Sequence, residues 1–340
     1  GGDDFANASL RVLRKDVRTG FELLADVLMN PLFDQTEVDR KVKETLASIR
    51  QQKDDPGVIA GEAFNKAVFG KHPYGKTNDD DAAYLPAMTS RDAADFHARH
   101  YGPNRVIIAV VGDTSEKEVR AMLGEYFKGW RPVEAPDSVS PPPPSLEKIE
   151  VRKLDKNITQ ANIAMGHVGI SRENPDFYPV VVMNYILGGG GFSSRLMDNI
   201  RDNRGLAYDV NSSFAAQKEP GAFRVWVQTK SESANEAIDE VFKEIRRIRK
   251  EPVSVAELSD AKAYLTGSFP LRMDTSGKIA AMLTNIEIYG LGLDYPENYR
   301  RLVSAVSADD GKRVANKYLD PDRMVIVVLG NQEKIKLKNY

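Results

Sequence analysis

Arg201 and Tyr208 stand seven positions apart, behind a run of four glycines, Gly188-Gly189-Gly190-Gly191, that leads into Phe192 and Ser193. An arginine near a helix end and a tyrosine at a strand start can aim hydrogen-bond donors into one cleft. Four consecutive glycines remove every Cβ from a turn, so the chain there can take positive φ or lie close against another backbone. Such a loop can touch a ligand, or hold an anion at the N-terminus of a following helix. It lacks the Lys-Ser/Thr of a phosphate-binding P-loop, and its plain structural reading is a tight connector between two helices. For Arg201 and Tyr208 the plain reading is a surface ion pair and a half-buried ring.

Several elements must position these residues. Asn174 to Leu187 reads as a helix entering the glycines. Ser193 and Ser194 are capping types, and Leu196, Met197 and Ile200 fall on one face, so a short amphipathic helix is expected up to the stop at Gly205. Tyr208 then opens a strand near 207–216, followed by one near 222–229.

Elsewhere, Phe5 to Leu13 reads as a strand, and Asp16 as the cap of a helix that Pro31 ends. A long helix spans about Gln35 to Lys53, and Pro56 opens another reaching Phe69. His72-Pro73-Tyr74-Gly75 is a turn. Thr89 or Ser90 caps a helix to about Tyr101, Arg105 to Val111 is a buried β-run, and Ser115 to Phe127 is helical. Ile149 to Leu154 and Ile158 to Met165 alternate like strands. Helices follow near 232–250, 255–269 and 276–289, then from Glu297 and Ala308, before a strand from Met324 to Leu329. On the first of these, Lys243, Arg246, Arg247, Arg249 and Lys250 interleave with Glu240, Glu244 and Glu251, the pattern of a solvated face.

The chain of 340 residues, 41% hydrophobic and 28% charged, suits about two globular domains. A net charge of −2 gives no basic field for nucleic acid. No cysteine is present, which excludes disulfides, thiol catalysis and cysteine-held zinc. The longest apolar runs fall far short of the roughly 20 residues of a membrane span.

The two halves repeat. His97 to Arg105 lines up with Val314 to Arg323: Tyr101 pairs with Tyr318, Pro103 with Pro321, Gly112 with Gly330, and Glu37 with Glu257. A nearly constant offset marks a duplicated domain. It predicts a first α+β domain over 1–130, a proline-rich linker over 131–146, and a second α+β domain over 147–340 with the glycine loop and the Arg/Tyr pair. It also places Gly1 opposite roughly residue 220, so the first copy is expected to start mid-domain. His97 and His100 correspond to Val314 and Lys317, which argues against a metal site there.

Asn30-Pro31-Leu32-Phe33, Asp54-Asp55-Pro56, Phe69 to Gly75, Tyr101 to Asn104, Val111-Gly112-Asp113, and Gly188 through Arg201 and Tyr208 together resemble the pitrilysin/insulinase family of zinc metallopeptidases, in the branch of bacterial two-subunit and mitochondrial processing peptidases. The resemblance implies two repeated domains, each a sheet packed with helices, forming one half of a clamshell around unfolded peptide. It implies a His-x-x-Glu-His zinc motif, which His72, His97, His100 and His167 do not make. The position of the family's third zinc ligand falls on Ser48 and that of a supporting acid on Lys41, while Glu44 lies one turn from Ser48. A serine hydroxyl is a poor zinc ligand. The chain is therefore expected to bind no metal itself and to work with a zinc-motif-bearing homologous subunit, or as a homodimer, that supplies the zinc. In the family, the Arg/Tyr pair of such a half reaches the substrate, implying transition-state stabilisation by Arg201 and Tyr208 and substrate contacts from Gly188, Gly189, Gly190, Gly191, Phe192 and Ser193. Two alternatives stay open: an active peptidase whose motif lies in a segment not present, and a structural core-like subunit. The compartment is open between bacterial periplasm and cytoplasm, with the periplasm favoured.

Overall fold

The computed structural model describes residues 2–134 and 139–340, so Pro136 of the expected linker lies outside the described residues. In chain order the elements are α1 (Val17–Met29), α2 (Gln35–Gln52), α3 (Pro56–Phe69), α4 (Asn78–Tyr84), α5 (Ser90–His100), α6 (Glu116–Tyr126), β1 (Glu150–Asp155), β2 (Gln160–Val168), α7 (Phe177–Asn184), β3 (Ala207–Phe214), β4 (Ala222–Lys230), α8 (Ala234–Lys250), α9 (Val255–Ser268), α10 (Ser276–Ile288), α11 (Tyr295–Ala305), α12 (Ala308–Tyr318), β5 (Val325–Gly330) and α13 (Gln332–Ile335). The architecture is α+β. No helix among the described residues is long and apolar enough to cross a membrane.

The chain divides into two compact units, and not at a single point near 131–146. One comprises 1–49, 79–139 and 269–295; the other comprises 50–78, 140–268 and 296–340. Helix α3 is the informative case. It falls within the first expected domain, yet Ala60, Phe64, Ala67, Val68 and Phe69 pack on the sheet of the second unit, against Ala164, Ala222, Val325, Val327 and Leu329. An apolar helix face goes where an apolar sheet face is available, whatever the order along the chain.

In the first unit, α1 buries Phe21 and Ala25. A Cβ on Gly20 would meet the side chains of Leu10 and Val12 at 3.1–3.2 Å, so the run after Phe5 lies tight against this helix. That run and the run Arg105 to Val111 were both expected as strands. Neither forms a ladder among the described residues. Val106 has strand-like angles, φ −123° and ψ 136°, but among the described residues no strand pairs with it. The Tyr101-Gly102-Pro103-Asn104 segment has a structural role, because Asn104 Nδ2 donates to the Val133 carbonyl while Val133 N–H donates to Asn104 Oδ1.

The second unit holds a five-stranded sheet in the order β1-β5-β2-β4-β3. β1 and β5 are parallel, and all other neighbours are antiparallel. β5 is buried along its whole length. Since Val325, Val327 and Leu329 face α3, Ile326 and Val328 face the opposite side. α8 packs against β4, burying Ile238, Val241, Ile245 and Ile248. The proline run ends against this unit, with Pro144 within 3.2 Å of where a Gly70 Cβ would sit.

The repeat is visible in how its helices begin. Thr89 caps α5 and Ser307 caps α12, each in a reciprocal box with an aspartate three residues on, at the same offset of 218 (307 − 89; 310 − 92). Asp16, by contrast, makes no side-chain cap on α1.

Buried Asp176 ties α12 to the start of α7. Its carboxylate accepts from Arg313 Nη1 at 2.8 Å, Lys317 Nζ at 2.9 Å and the Tyr318 hydroxyl at 2.7 Å. Burial alone would raise its pKa, but the bonds from Lys317, Tyr318 and Arg313 outweigh it and hold the group at about 2. A depressed folded pKa gives stability that is present above the unfolded value near 4 and is lost as pH falls towards 2. Asp176→Asn is therefore expected to lower the unfolding free energy at pH 7 by about 2 kcal/mol and to flatten its decline between about pH 4 and 2, as read by urea titrations across that range.

Candidate functional site

The glycine loop is framed by two π-helical turns rather than by two α-helices. α7 widens at its C-terminal end into the first, Tyr185–Gly189, where the expected helix ran on to Leu187. A tight turn at Gly191–Ser193 follows, and the expected amphipathic helix is π-helical over Met197–Asn203. Leu196, Met197 and Ile200 are buried, as the apolar spacing requires. The serines do not cap it; the Ser194 hydroxyl donates back to the Gly191 carbonyl at 2.7 Å. Widened turns of this kind form when one extra residue must be accommodated, and they recur at functional sites.

The first widened turn lies against β3. Asn184 Nδ2 donates to the Ser212 carbonyl at 3.1 Å, and the Ser212 hydroxyl donates to Asn184 Oδ1 at 2.7 Å. A Cβ on Gly188 would sit 2.5 Å from Ser212 Oγ and 2.7 Å from its backbone nitrogen. Gly188 is therefore a packing residue, buried against the strand, whereas Gly189, Gly190, Gly191, Phe192 and Ser193 are exposed or half-exposed. Gly191 has φ +57° with open space around a would-be Cβ, so it is chosen for its backbone angle.

Gly205, with φ +61°, ends the second π-helical segment, its N–H donating to the Arg201 carbonyl at 2.9 Å. β3 starts with a bulge: Ala207 pairs with Thr229 and Asp209 with Gln228, which leaves Tyr208 as the extra residue. A bulge turns the unpaired side chain away from the alternation of its strand. Tyr208 is 73% exposed, as is Phe192 at 70%. The Arg201 guanidinium carbon lies 4.7 Å from the Phe192 ring centre and 5.9 Å from that of Tyr208. Each such contact contributes about 0.5–1 kcal/mol at an exposed site. Both are contacts of the guanidinium carbon with a ring. Its N–H donors take no carboxylate or carbonyl among the described residues, and the Tyr208 hydroxyl likewise has no partner there.

Behind the exposed face lies a polar layer that the spacing did not reveal. Arg195, 7% exposed, donates from Nε and Nη2 to the two oxygens of Glu257, at 2.6 and 3.0 Å. Glu257 also caps α9, accepting from Ser254 N–H while its own N–H donates to Ser254 Oγ. The bond from Arg195, helped by Ser254 and working against burial, holds Glu257 at about 2. One turn on, Asn199 Nδ2 donates to Glu240 Oε2 at 2.8 Å and Glu244 Oε1 at 2.9 Å. These two acids were read as part of a solvated helix face, and they are buried, Glu244 to 2%. Burial pushes Glu244 above the usual carboxylate range against the pull of Arg247 and Arg195. For Glu240, burial is outweighed by Asn199 and Lys243, and its pKa is lowered. The sequence signal for this layer was the interruption of a basic run by acids at i, i+4.

The residues at the expected zinc-ligand positions do not make a coordination set. Ser48 is exposed, and the Glu44 carboxylate is engaged by Arg40 and, at 3.7 Å, by Lys41. Among the described residues no group of three or more histidines, aspartates or glutamates could hold a metal ion.

Comparison with known proteins identifies the lineage. The family model for the peptidase M16 inactive domain matches residues 87–265, more than half of the chain. The chain belongs to the peptidase M16 family. An uncharacterized zinc protease of Mycobacterium leprae is 30% identical over 288 residues, covering 82% of this chain and 63% of the relative. An Arabidopsis thaliana protein named probable mitochondrial-processing peptidase subunit beta is 26% identical over 331 residues, covering 94% of this chain and 62% of its own length. The chain thus spans less than two thirds of either relative. The crystal structure of a peptidase M16 inactive domain from Pseudomonas fluorescens superposes with a TM-score of 0.85 at 30% identity, over 93% of this chain and 76% of that one.

The two glycines at the ends of the loop predict different costs. Gly188→Ala places a methyl into backbone and is expected to destabilise by about 1–3 kcal/mol. Gly191→Ala meets nothing and loses only the left-handed preference, about 1 kcal/mol. Urea unfolding of both variants checks the order.

Proposed function

We propose that this M16 inactive-domain chain is the part of a zinc peptidase that does not hold the metal, that it binds unfolded peptide at the loop Gly189–Ser193, and that Arg201 and Tyr208 stabilise the transition state of peptide hydrolysis. The metal would be held by a homologous partner subunit carrying the zinc motif. The observation that carries this reading is the state of the two side chains: a half-exposed guanidinium set over two rings, and a phenol turned outward by a bulge, both with donors that take no acceptor among the described residues. Attack of water on a peptide carbonyl builds negative charge on the carbonyl oxygen, and donors already aimed there need no rearrangement as it forms. The guanidinium supplies charge, and the phenol supplies a neutral donor. Phe192 and the Tyr208 ring offer adjacent apolar surface for a substrate side chain, in keeping with two large exposed aromatics at one place.

A surface ion pair, the plain reading of Arg201, is disfavoured because no carboxylate approaches it among the described residues. The test is hydrolysis of an unstructured peptide by the full-length protein mixed with a zinc-motif homologue from the same source. Arg201→Ala and Tyr208→Phe are each expected to reduce kcat by roughly 10²–10³, with KM changed far less. Turnover unchanged in both variants, or full hydrolysis by this chain without the homologue, rejects the reading.

A further inference from the structure

Arg201 sits on a segment whose backbone geometry is not its resting one. Isolated α-helical sequences do not widen into π turns unaided, and Met197–Asn203 carries no proline or glycine that would force the widening. Something outside the segment must hold the register. Two side chains, Arg195 just before the segment and Asn199 within it, bond to two different helices. Arg195 makes the paired bonds to Glu257 of α9, and Asn199, four residues later, bridges Glu240 and Glu244 of α8. Arg204 closes the far end, donating from Nε to Asn199 Oδ1 at 3.1 Å and lying 3.2 Å from Glu240.

These acceptors are themselves fixed. Glu257 is locked by its reciprocal bonds with Ser254, and Glu240 and Glu244 lie on the buried face of α8. Apolar packing of Leu196 and Ile200 alone would tolerate a slide by one residue, since apolar contacts are not directional. Bonds to both oxygens of a fixed carboxylate would not.

From this geometry we infer that Arg195, Asn199 and their acceptors Glu257, Glu240 and Glu244 are positioning residues, which hold the π register of Met197–Asn203 and thereby keep the Arg201 guanidinium between Phe192 and Tyr208. The positioning itself stands on the contacts above; its consequence for turnover rests on the function proposed for Arg201.

The experiment has two arms, both on the full-length protein. In the first, NMR of the Arg201 side chain reads the upfield ring-current shift that two flanking rings impose, and hydrogen exchange reads the amides of 198–203. Arg195→Met and Asn199→Ala are expected to remove most of the shift and speed exchange, and Arg195→Lys, which keeps the charge but loses the paired geometry, to fall between. In the second arm, with the zinc-motif homologue present, each variant is expected to lower kcat roughly tenfold to a hundredfold with KM nearly constant. On an Arg201→Ala background, Asn199→Ala is expected to have no further effect, because it acts through the absent guanidinium. Retention of the ring-current shift in folded Asn199→Ala and Arg195→Lys overturns the inference, as does a full additional loss on the Arg201→Ala background. If the shift is lost but Arg201→Ala leaves hydrolysis intact, the positioning holds and the catalytic role of Arg201 falls.

Discussion

β3 is the edge of its sheet, and an edge strand with open backbone groups invites unwanted pairing. The chain covers this strand at Ser212, with the Asn184 amide on the Ser212 carbonyl and the bare backbone of Gly188 pressed against the same residue. That contact exists only without a Cβ. To reach it, the last turn of α7 widens, and the widened turn sets where the loop leaves the helix. The outward display of Phe192 and the re-entry at Ser194 follow from this exit.

Arg195 and Arg201 show how one short segment sorts two identical side chains. A guanidinium taken out of water must have its charge matched, and Arg195 is matched by Glu257. Arg201 lies two residues past Asn199, roughly the opposite face of a helix, where no carboxylate among the described residues comes within ion-pair distance. Its rings hold it in place without consuming its donors. Tyr208 reaches the same place by a different device, the extra residue of a bulge that opens β3. The inner face of the segment is thus spent on fixing it and the outer face on presenting it.

Much of the framework was legible in the residues. Pro56 after Asp55 marked the start of α3, where Asp55 caps in fact, and Thr89 marked α5. The strands 207–214 and 222–230 and the Arg/Tyr spacing were likewise readable, because each depends on local chemistry. What depended on partners was not. Val106 to Val111 has nearly the apolar pattern of β5, yet β5 has β1 on one side and β2 on the other while its counterpart has no ladder among the described residues. A strand is a property of its neighbours as much as of its own sequence. The π turns escaped for a related reason, since their apolar spacing over a few residues cannot be told from that of an α-helix. The assignment of α3 to the second unit could not be read from chain order at all.

Glu240 and Glu244 were misread because a charged residue on a helix is usually solvated, and their burial shows what the exception is for. Two carboxylates one turn apart share a single amide nitrogen, and they respond in opposite directions: Glu240 is drawn down by Asn199, Lys243 and Arg204, and Glu244 is pushed up by its deeper burial. Apolar side chains of similar volume would fill the same space with less desolvation cost. They would also be indifferent to a one-residue slip of the segment above them. A directional polar layer removes that indifference, and a guanidinium that must arrive between two particular rings has no use for a helix free to choose its register.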